Sequence, residues 1–184
     1  MVKRPPNTRF DPPYVNFSSH SNRKVISVWG AICKNGPGKL IRLDSRLNGQ
    51  TYAEILDTIG VNFIKDQFGS QQCYWIEDNC PAHKSNLVGA WFDSCSYLHG
   101  INCTRIKLAS YSPDLNIIEN SWGFAKHDLL YDNEEVPTCD MMWAKVKNFW
   151  EKIIENREFV TNLFNSMENR LDNVLRNDGF PLRF

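Results

Sequence analysis

No apolar run in this 184-residue chain approaches the roughly 20 residues that a helix needs to cross a bilayer. Met1-Val2-Lys3-Arg4-Pro5-Pro6 does not read as a secretory signal. The six cysteines, Cys33, Cys73, Cys80, Cys95, Cys103 and Cys139, contain no Cys-x-x-Cys pair and no ladder of short spacings. A Cys/His zinc site would need such spacings, so none is expected. Several of these cysteines fall inside apolar runs, as reduced, buried thiols do, which points to the cytosol or the nucleus. The chain also lacks an internal repeat, a low-complexity tract and a net charge: 21 Lys and Arg balance 21 Asp and Glu. Zero net charge argues against a generic nucleic-acid binder, but the distribution is lopsided. Residues 1–50 hold nine basic against two acidic side chains, and residues 51–184 hold twelve against nineteen. The basic front suits contact with phosphates; a solvated surface with chance asymmetry gives the same numbers.

The length suits one domain, 1–184, with a sizeable core. Residues 1–24 are rich in Pro, Asn, Ser and Arg, show no period, and read as an irregular arm. Lys24 to Cys33 is dense in β-branched and aromatic residues and reads as a strand; Asn35-Gly36-Pro37-Gly38 turns the chain, and Lys39 to Asp44 returns as the second arm of a hairpin. Thr51 caps a helix to about Phe68, with Ile55, Ile59, Phe63 and Gln67 on one face. A strand at Cys73–Ile76, a helix with Leu87, Trp91, Cys95 and Leu98 at helical spacing and Gly100 as its stop, and a strand at Thr104–Leu108 come next. A helix starting near Asn116 carries Ile118, Trp122, Ala125 and Leu129 on one side. After an acidic linker, Asp132–Pro137, two amphipathic helices close the chain: Met142, Val146, Phe149 and Ile153 stripe the first, and Val160, Leu163, Met167, Leu171 and Val174 the second. The divisions are 1–24 arm, 25–131 core and 138–178 helical extension.

Two stretches carry chemistry. Cys73-Tyr74-Trp75-Ile76 has the near-continuous apolarity of a strand buried on both faces, and it ends in Glu77-Asp78-Asn79 with Pro81 beyond. Asp78 therefore sits at the carboxyl end of a central strand, where open α/β sheets place their ligands. Glu119 lies in the first turn of the later helix, and the two carboxylates could converge on a hard divalent cation. Each also has a plainer explanation. An Asp at a strand end often caps a turn, and Asn116-x-x-Glu119 has the spacing of a capping box, in which the carboxylate turns back onto its own helix start. Asn79 and His83, beside Asp78, could orient a ligand or contact a phosphate; a histidine near an acid is also often only a hydrogen-bond partner.

Asp78-Asn79-Cys80-Pro81-Ala82-His83 is similar to the Asp-Asn-x-Pro-x-His element of Tc/mariner-type transposases, and Ser112-Pro113-Asp114-Leu115-Asn116-Ile117-Ile118-Glu119 is similar to their Ser-Pro-Asp-Leu-Asn-Pro-Ile-Glu element. Lesser similarity runs from Val2-Lys3-Arg4-Pro5 through Val28-Trp29-Gly30 to Asn177-Asp178-Gly179-Phe180, so the resemblance spans nearly the whole chain. It implies an α/β fold: a ribonuclease H-like mixed sheet flanked by helices, here with its first strand missing and a C-terminal helical extension. It makes Asp78 and Glu119 the second and third members of a metal-binding acidic triad that uses Mg²⁺ or Mn²⁺. In the family, water cuts DNA at the transposon ends and a 3′-hydroxyl joins them to a target. DNA is the implied partner, with Arg4, Arg9, Arg23 and Lys24 of the basic arm as phosphate contacts, and the nucleus is the implied location. The family's loop at the position of the arm can embrace a partner subunit, which adds a homodimer to the expectations. A frayed arm is the alternative, favoured by the lack of an anchoring strand.

Three departures accompany the resemblance. The triad's first acid belongs ahead of the Val-Lys-Arg-Pro element, where this chain begins; the gap between Asp78 and Glu119 is long, with the excess after Trp91; and Ile117 stands where the family has proline. Asp11 and Asp44 are the nearest substitutes for the missing acid, and neither is expected to reach the site. The chain is therefore expected not to cut DNA by itself. A domesticated fragment acting by DNA or protein interaction without catalysis, and a ribonuclease H-like hydrolase of RNA–DNA hybrids, are the alternatives.

Overall fold

The computed structural model describes residues 25–35, 38–110, 112–131 and 138–177. The arm 1–24, Gly36 and Pro37 of the first turn, the linker 132–137 and the segment 178–184 lie outside the described residues, as does the Leu129 side chain. Strand β1 (Ser27–Ala31) pairs antiparallel with β2 (Lys39–Leu43), Trp29 opposite Ile41. Helix α1 (Gly49–Ile55) runs through one π turn, Leu56–Gly60, into α2 (Val61–Phe68). Strand β3 (Cys73–Glu77), α3 (Asn86–His99) and β4 (Cys103–Lys107) then form a crossover unit, β3 and β4 being parallel with Trp75 opposite Arg105. A 3₁₀ turn at Pro113–Leu115 leads into α4 (Ile118–Tyr131); α5 (Cys139–Glu155) and α6 (Arg157–Arg176) follow.

The expected order of elements is present, but the expected sheet is in two halves. β1 bonds to β2 and β3 to β4, and among the described residues no strand joins β1 to β3. Among the described residues two strand edges therefore have no main-chain partner, and the indoles of Trp29 and Trp75 stack across the divide with centroids 6.4 Å apart. Beneath them one apolar cluster, including Tyr52, Leu56, Ile64, Val88, Trp91, Cys95 and Ile101, fills the space between α1, α2 and α3. All six cysteines are unpaired thiols, with Cys33, Cys73 and Cys95 buried. Burial pushes the thiols of Cys73, Cys95 and Cys103 upward, which leaves them protonated and unreactive.

Local details differ from the sequence pattern for physical reasons. Asn48, not Thr51, caps α1, its side-chain oxygen accepting the Thr51 amide at 3.0 Å. Asparagine and threonine are both good caps, and the one preceding the turn wins. The π turn inserts one extra residue and brings Ile55 and Leu56 on one side of it, and Val61 and Ile64 on the other, to the same core. In α3 the buried stripe is Val88, Trp91, Phe92 and Cys95, while Leu87 and Leu98 are exposed. The helix starts at its Ser85 cap, whose hydroxyl accepts the Val88 amide, and Trp91 and Cys95 keep the buried positions that the pattern gave them. Gly100 ends α3 at φ +67°, the left-handed conformation that favours glycine. In α5 Trp150 rather than Phe149 is buried, and in α6 Leu171 is exposed.

Trp150 and Trp122 stack at 5.0 Å and 24° against the back of β1. A β-carbon at Gly30 would lie 2.8 Å from the Trp122 ring and 3.0 Å from the Trp150 ring. The absence of a side chain at Gly30 is thus what lets α4 and α5 close on the hairpin. Gly30→Val is expected to destabilise the fold by about 1–3 kcal/mol, the usual effect of overpacking, measured as a lower urea midpoint at unchanged slope.

Candidate functional site

Asp78 leaves the end of β3, and its side chain is organised locally. Oδ1 accepts the Cys80 amide at 2.9 Å and lies 2.7 Å from Nδ1 of His83, which therefore donates to it. No bond among the described residues falls on Oδ2. Asp78 does cap a turn, then, yet one oxygen is left over. His83, 12% exposed, is pinned in turn by the Tyr52 ring, whose centroid is 4.3 Å away. Asn79 sends its amide to the carbonyls of Leu108 and Ala109, each at 3.0 Å, and so ties the loop after β3 to the loop after β4. Asp78, Cys80 and His83 bring one potential ligand atom each within 4.8 Å of one another, a clustering that their sequence spacing had argued against.

Glu119 stands in the first turn of α4. The capping-box geometry is not formed: the Asn116 amide donates to the Pro113 carbonyl at 3.1 Å. Glu119 and Asp78 instead line the same cleft, one of about 620 Å³ that runs along β1 and β3. Partial burial raises the Glu119 pKa, and the negative charge of Asp78 raises it further. Arg4, Arg9, Arg23 and Lys24 lie outside the described residues.

Under this pair is a network that the sequence did not reveal. Glu77, one residue before Asp78, is buried, and its carboxylate pairs with the Arg105 guanidinium. The Tyr52 hydroxyl donates to Glu77 Oε2 at 2.6 Å and accepts the Trp75 indole N–H at 3.1 Å. Arg105 also donates to the His83 carbonyl at 2.5 Å and packs over the Phe92 ring at 5.3 Å. Burial, and then the charge of Glu77, push the Tyr52 phenol far above its ordinary pKa, so it stays a neutral donor. Glu77, Arg105, Tyr52 and His83 together fix the loop that presents Asp78. A second clamp holds the other acid's turn: Arg170 of α6 donates to the Asp114 carbonyl at 2.7 Å and to Asn120 Oδ1 at 3.0 Å. An arginine in the middle of an otherwise alternating strand was the one available signal for Arg105; Arg170 gave none.

A family model described as DDE superfamily endonuclease matches residues 11–142. The chain belongs to that family. Among curated proteins, this DDE domain is 26% identical over 160 residues to the transposable element Tc3 transposase of Caenorhabditis elegans, which covers 87% of this chain and 46% of the relative. It is 24% identical over 183 residues to the Tcb2 transposase of Caenorhabditis briggsae, covering 100% of this chain and 63% of the relative. The chain thus spans between 46% and 63% of the length of these relatives. Among solved structures, the crystal structure of the mariner Mos1 paired end complex with Mg aligns with a TM-score of 0.67 at 17% identity, over 90% of this chain and 48% of that one. The DDE domain therefore has the ribonuclease H-like fold, and both acid-bearing motifs lie in or beside the cleft between its half-sheets.

Two substitutions separate support from site. Arg105→Met leaves Glu77 charged and buried without its cation, and is expected to lower stability by about 3–5 kcal/mol. Adding Glu77→Gln should recover most of that loss in urea unfolding. Glu119→Gln should act in the opposite direction. With its folded pKa above the unfolded value, Glu119 binds more protons in the folded state, so its ionisation weakens the fold as pH rises through that window. The Gln variant is expected to melt higher than the parent at pH 7, and the gap should close as the pH falls toward 4, near the unperturbed glutamate pKa of about 4.3.

Proposed function

We propose that this domain holds a divalent cation between Asp78 and Glu119 and serves DNA cleavage and strand transfer. The observation that carries the proposal is that Asp78 and Glu119 line one cleft, with Asp78 Oδ2 unengaged among the described residues. One oxygen of Asp78 is left over by its local partners, and with the Glu119 carboxylate it offers an all-oxygen donor set that suits Mg²⁺ or Mn²⁺. When bound, such an ion supplies Lewis-acid activation of a phosphodiester oxygen. The protein's own part is placement. His83 and the Cys80 amide fix one oxygen of Asp78, the 3₁₀ turn and Arg170 set the start of α4, and Asn79 joins the loops at the strand ends.

The relatives are transposases of transposable elements, which makes DNA the substrate class in this proposal, with the nucleus as the place of action. The basic arm, with Arg4, Arg9, Arg23 and Lys24, would then contribute phosphate contacts. No helix among the described residues is long and apolar enough to cross a membrane.

Titration calorimetry with MnCl₂ tests the cation. Residues 1–184 should bind one ion weakly, and Asp78→Asn or Glu119→Gln should weaken that binding at least about tenfold; unchanged affinity in either variant refutes the shared site. DNA affinity, measured at 50 and 200 mM salt, should fall steeply with salt and fall further on charge reversal at Arg4, Arg9, Arg23 and Lys24. Salt-independent binding would remove DNA contacts by the arm from the proposal.

A further inference from the structure

The loop after β3 puts a soft metal ligand beside a hard one. Cys80 is a free, half-buried thiol, and with Asp78 and His83 it lines the cleft. The Lys84 amide donates to the Cys80 carbonyl at 3.2 Å and closes a single helical turn, which sets side chains three positions apart on one side. Cys80 and His83 have that spacing, and the Cys80 amide is itself held by Asp78 Oδ1 at 2.9 Å. One potential ligand atom from each of Asp78, Cys80 and His83 therefore lies within 4.8 Å of the other two. The bonds of a tetrahedral zinc ion, ~2.0–2.3 Å, hold its ligand atoms roughly 3.3–3.8 Å apart, so small side-chain rotations close this set on one ion. Apart from Asp78 the imidazole has no hydrogen-bond partner among the described residues: Nδ1 lies 2.7 Å from Asp78 Oδ1, and Nε2 is buried and unpaired.

We propose that Asp78, Cys80 and His83 form a site for Zn²⁺, and that zinc bound there antagonises the hard cation by taking Asp78 from Glu119. A thiolate and an imidazole select Zn²⁺, whereas Mg²⁺ and Mn²⁺ favour oxygen donors and gain nothing from Cys80. Three protein ligands leave the fourth position of the ion to water, and the thiol proton passes to the buffer on binding. The Asp78 carboxylate is common to both sites, while Glu119 belongs only to the hard one. Even with one oxygen of Asp78 given to each ion, two dications would repel each other across a single carboxylate. The zinc site stands on its own geometry; only the antagonism rests on the pairing of Asp78 with Glu119 proposed above.

The test titrates residues 1–184 with ZnCl₂ by calorimetry and with CoCl₂ by absorption, where a thiolate-to-cobalt band in the near ultraviolet reports a sulfur ligand. The expected result is one Zn²⁺ per chain and a cobalt band that added Zn²⁺ abolishes. Cys80→Ser and His83→Gln should each weaken zinc binding at least about tenfold, the smaller loss that even an outer-shell partner causes. Cys80→Ser should also remove the cobalt band. Cys139→Ser, at a thiol outside the cleft, and Glu119→Gln should retain both zinc and band. Saturating zinc should lower the Mn²⁺ affinity of the parent chain at least about tenfold, a coupling of ordinary size. Full zinc affinity in Cys80→Ser or His83→Gln, no cobalt band in the parent, or loss of zinc in Glu119→Gln or Cys139→Ser would each overturn the site. Undiminished Mn²⁺ binding beside bound zinc would overturn the antagonism. A chain that binds zinc through Cys80 yet takes up no Mn²⁺ would support the zinc site and refute the hard-cation pair, so the two failures are distinct.

Discussion

An ionised carboxylate cannot be buried without a partner, and the pairing of Glu77 with Arg105 meets that constraint for the whole site. The pair joins β3 to β4 diagonally, two positions off the Trp75–Arg105 register. A one-residue slip of either strand would turn one member to the opposite face, so the pair specifies the parallel register. Tyr52 carries the same constraint into α1, and the His83 carbonyl carries it into the loop that follows Asp78. Such a pair adds little net stability, because desolvating both groups offsets most of their attraction. What it contributes is position: the loop bearing Asp78 is anchored from beneath by groups outside the Asp78–Glu119 pair.

The second acid is held by a different part of the chain. α6 reaches back through Arg170 to the turn before α4, while α5 and α4 close over β1 by stacking their tryptophans where Gly30 leaves room. The C-terminal helices are therefore part of the site's support, although they contribute no acid to it. The two supports meet in the shared core, where Trp29 stacks on Trp75 and joins the cluster of Tyr52, Ile64 and Val88.

Much of this was legible from residue order. The Asp78 and Glu119 motifs, the hairpin, the crossover unit and the helical stripes could be read because strand ends, turns and periodicity are local properties. The exact stripe of α3 was not, because which of Leu87 and Val88 turns inward depends on how the helix packs against α1 and β4. The choice between capping box and cleft for Glu119 was not legible either. Both need the same spacing, and only the placement of the Pro113–Leu115 turn, which occupies the Asn116 amide, separates them. Least visible was the Glu77–Arg105–Tyr52 network: three residues from three elements, 25 and 28 positions apart, that look like ordinary surface residues until the parallel register brings them together.

The central claim is that Asp78 and Glu119 share one divalent cation. The most direct measurement is anomalous diffraction at the manganese edge from crystals of residues 1–184 soaked in MnCl₂. The account predicts a single strong peak in the cleft, within bonding distance of a carboxylate oxygen of each residue, which is roughly 2.1 Å for the corresponding Mg²⁺ ion. A peak bound by Asp78, Cys80 and His83 without Glu119, or no peak at a concentration that saturates calorimetric binding, would contradict it.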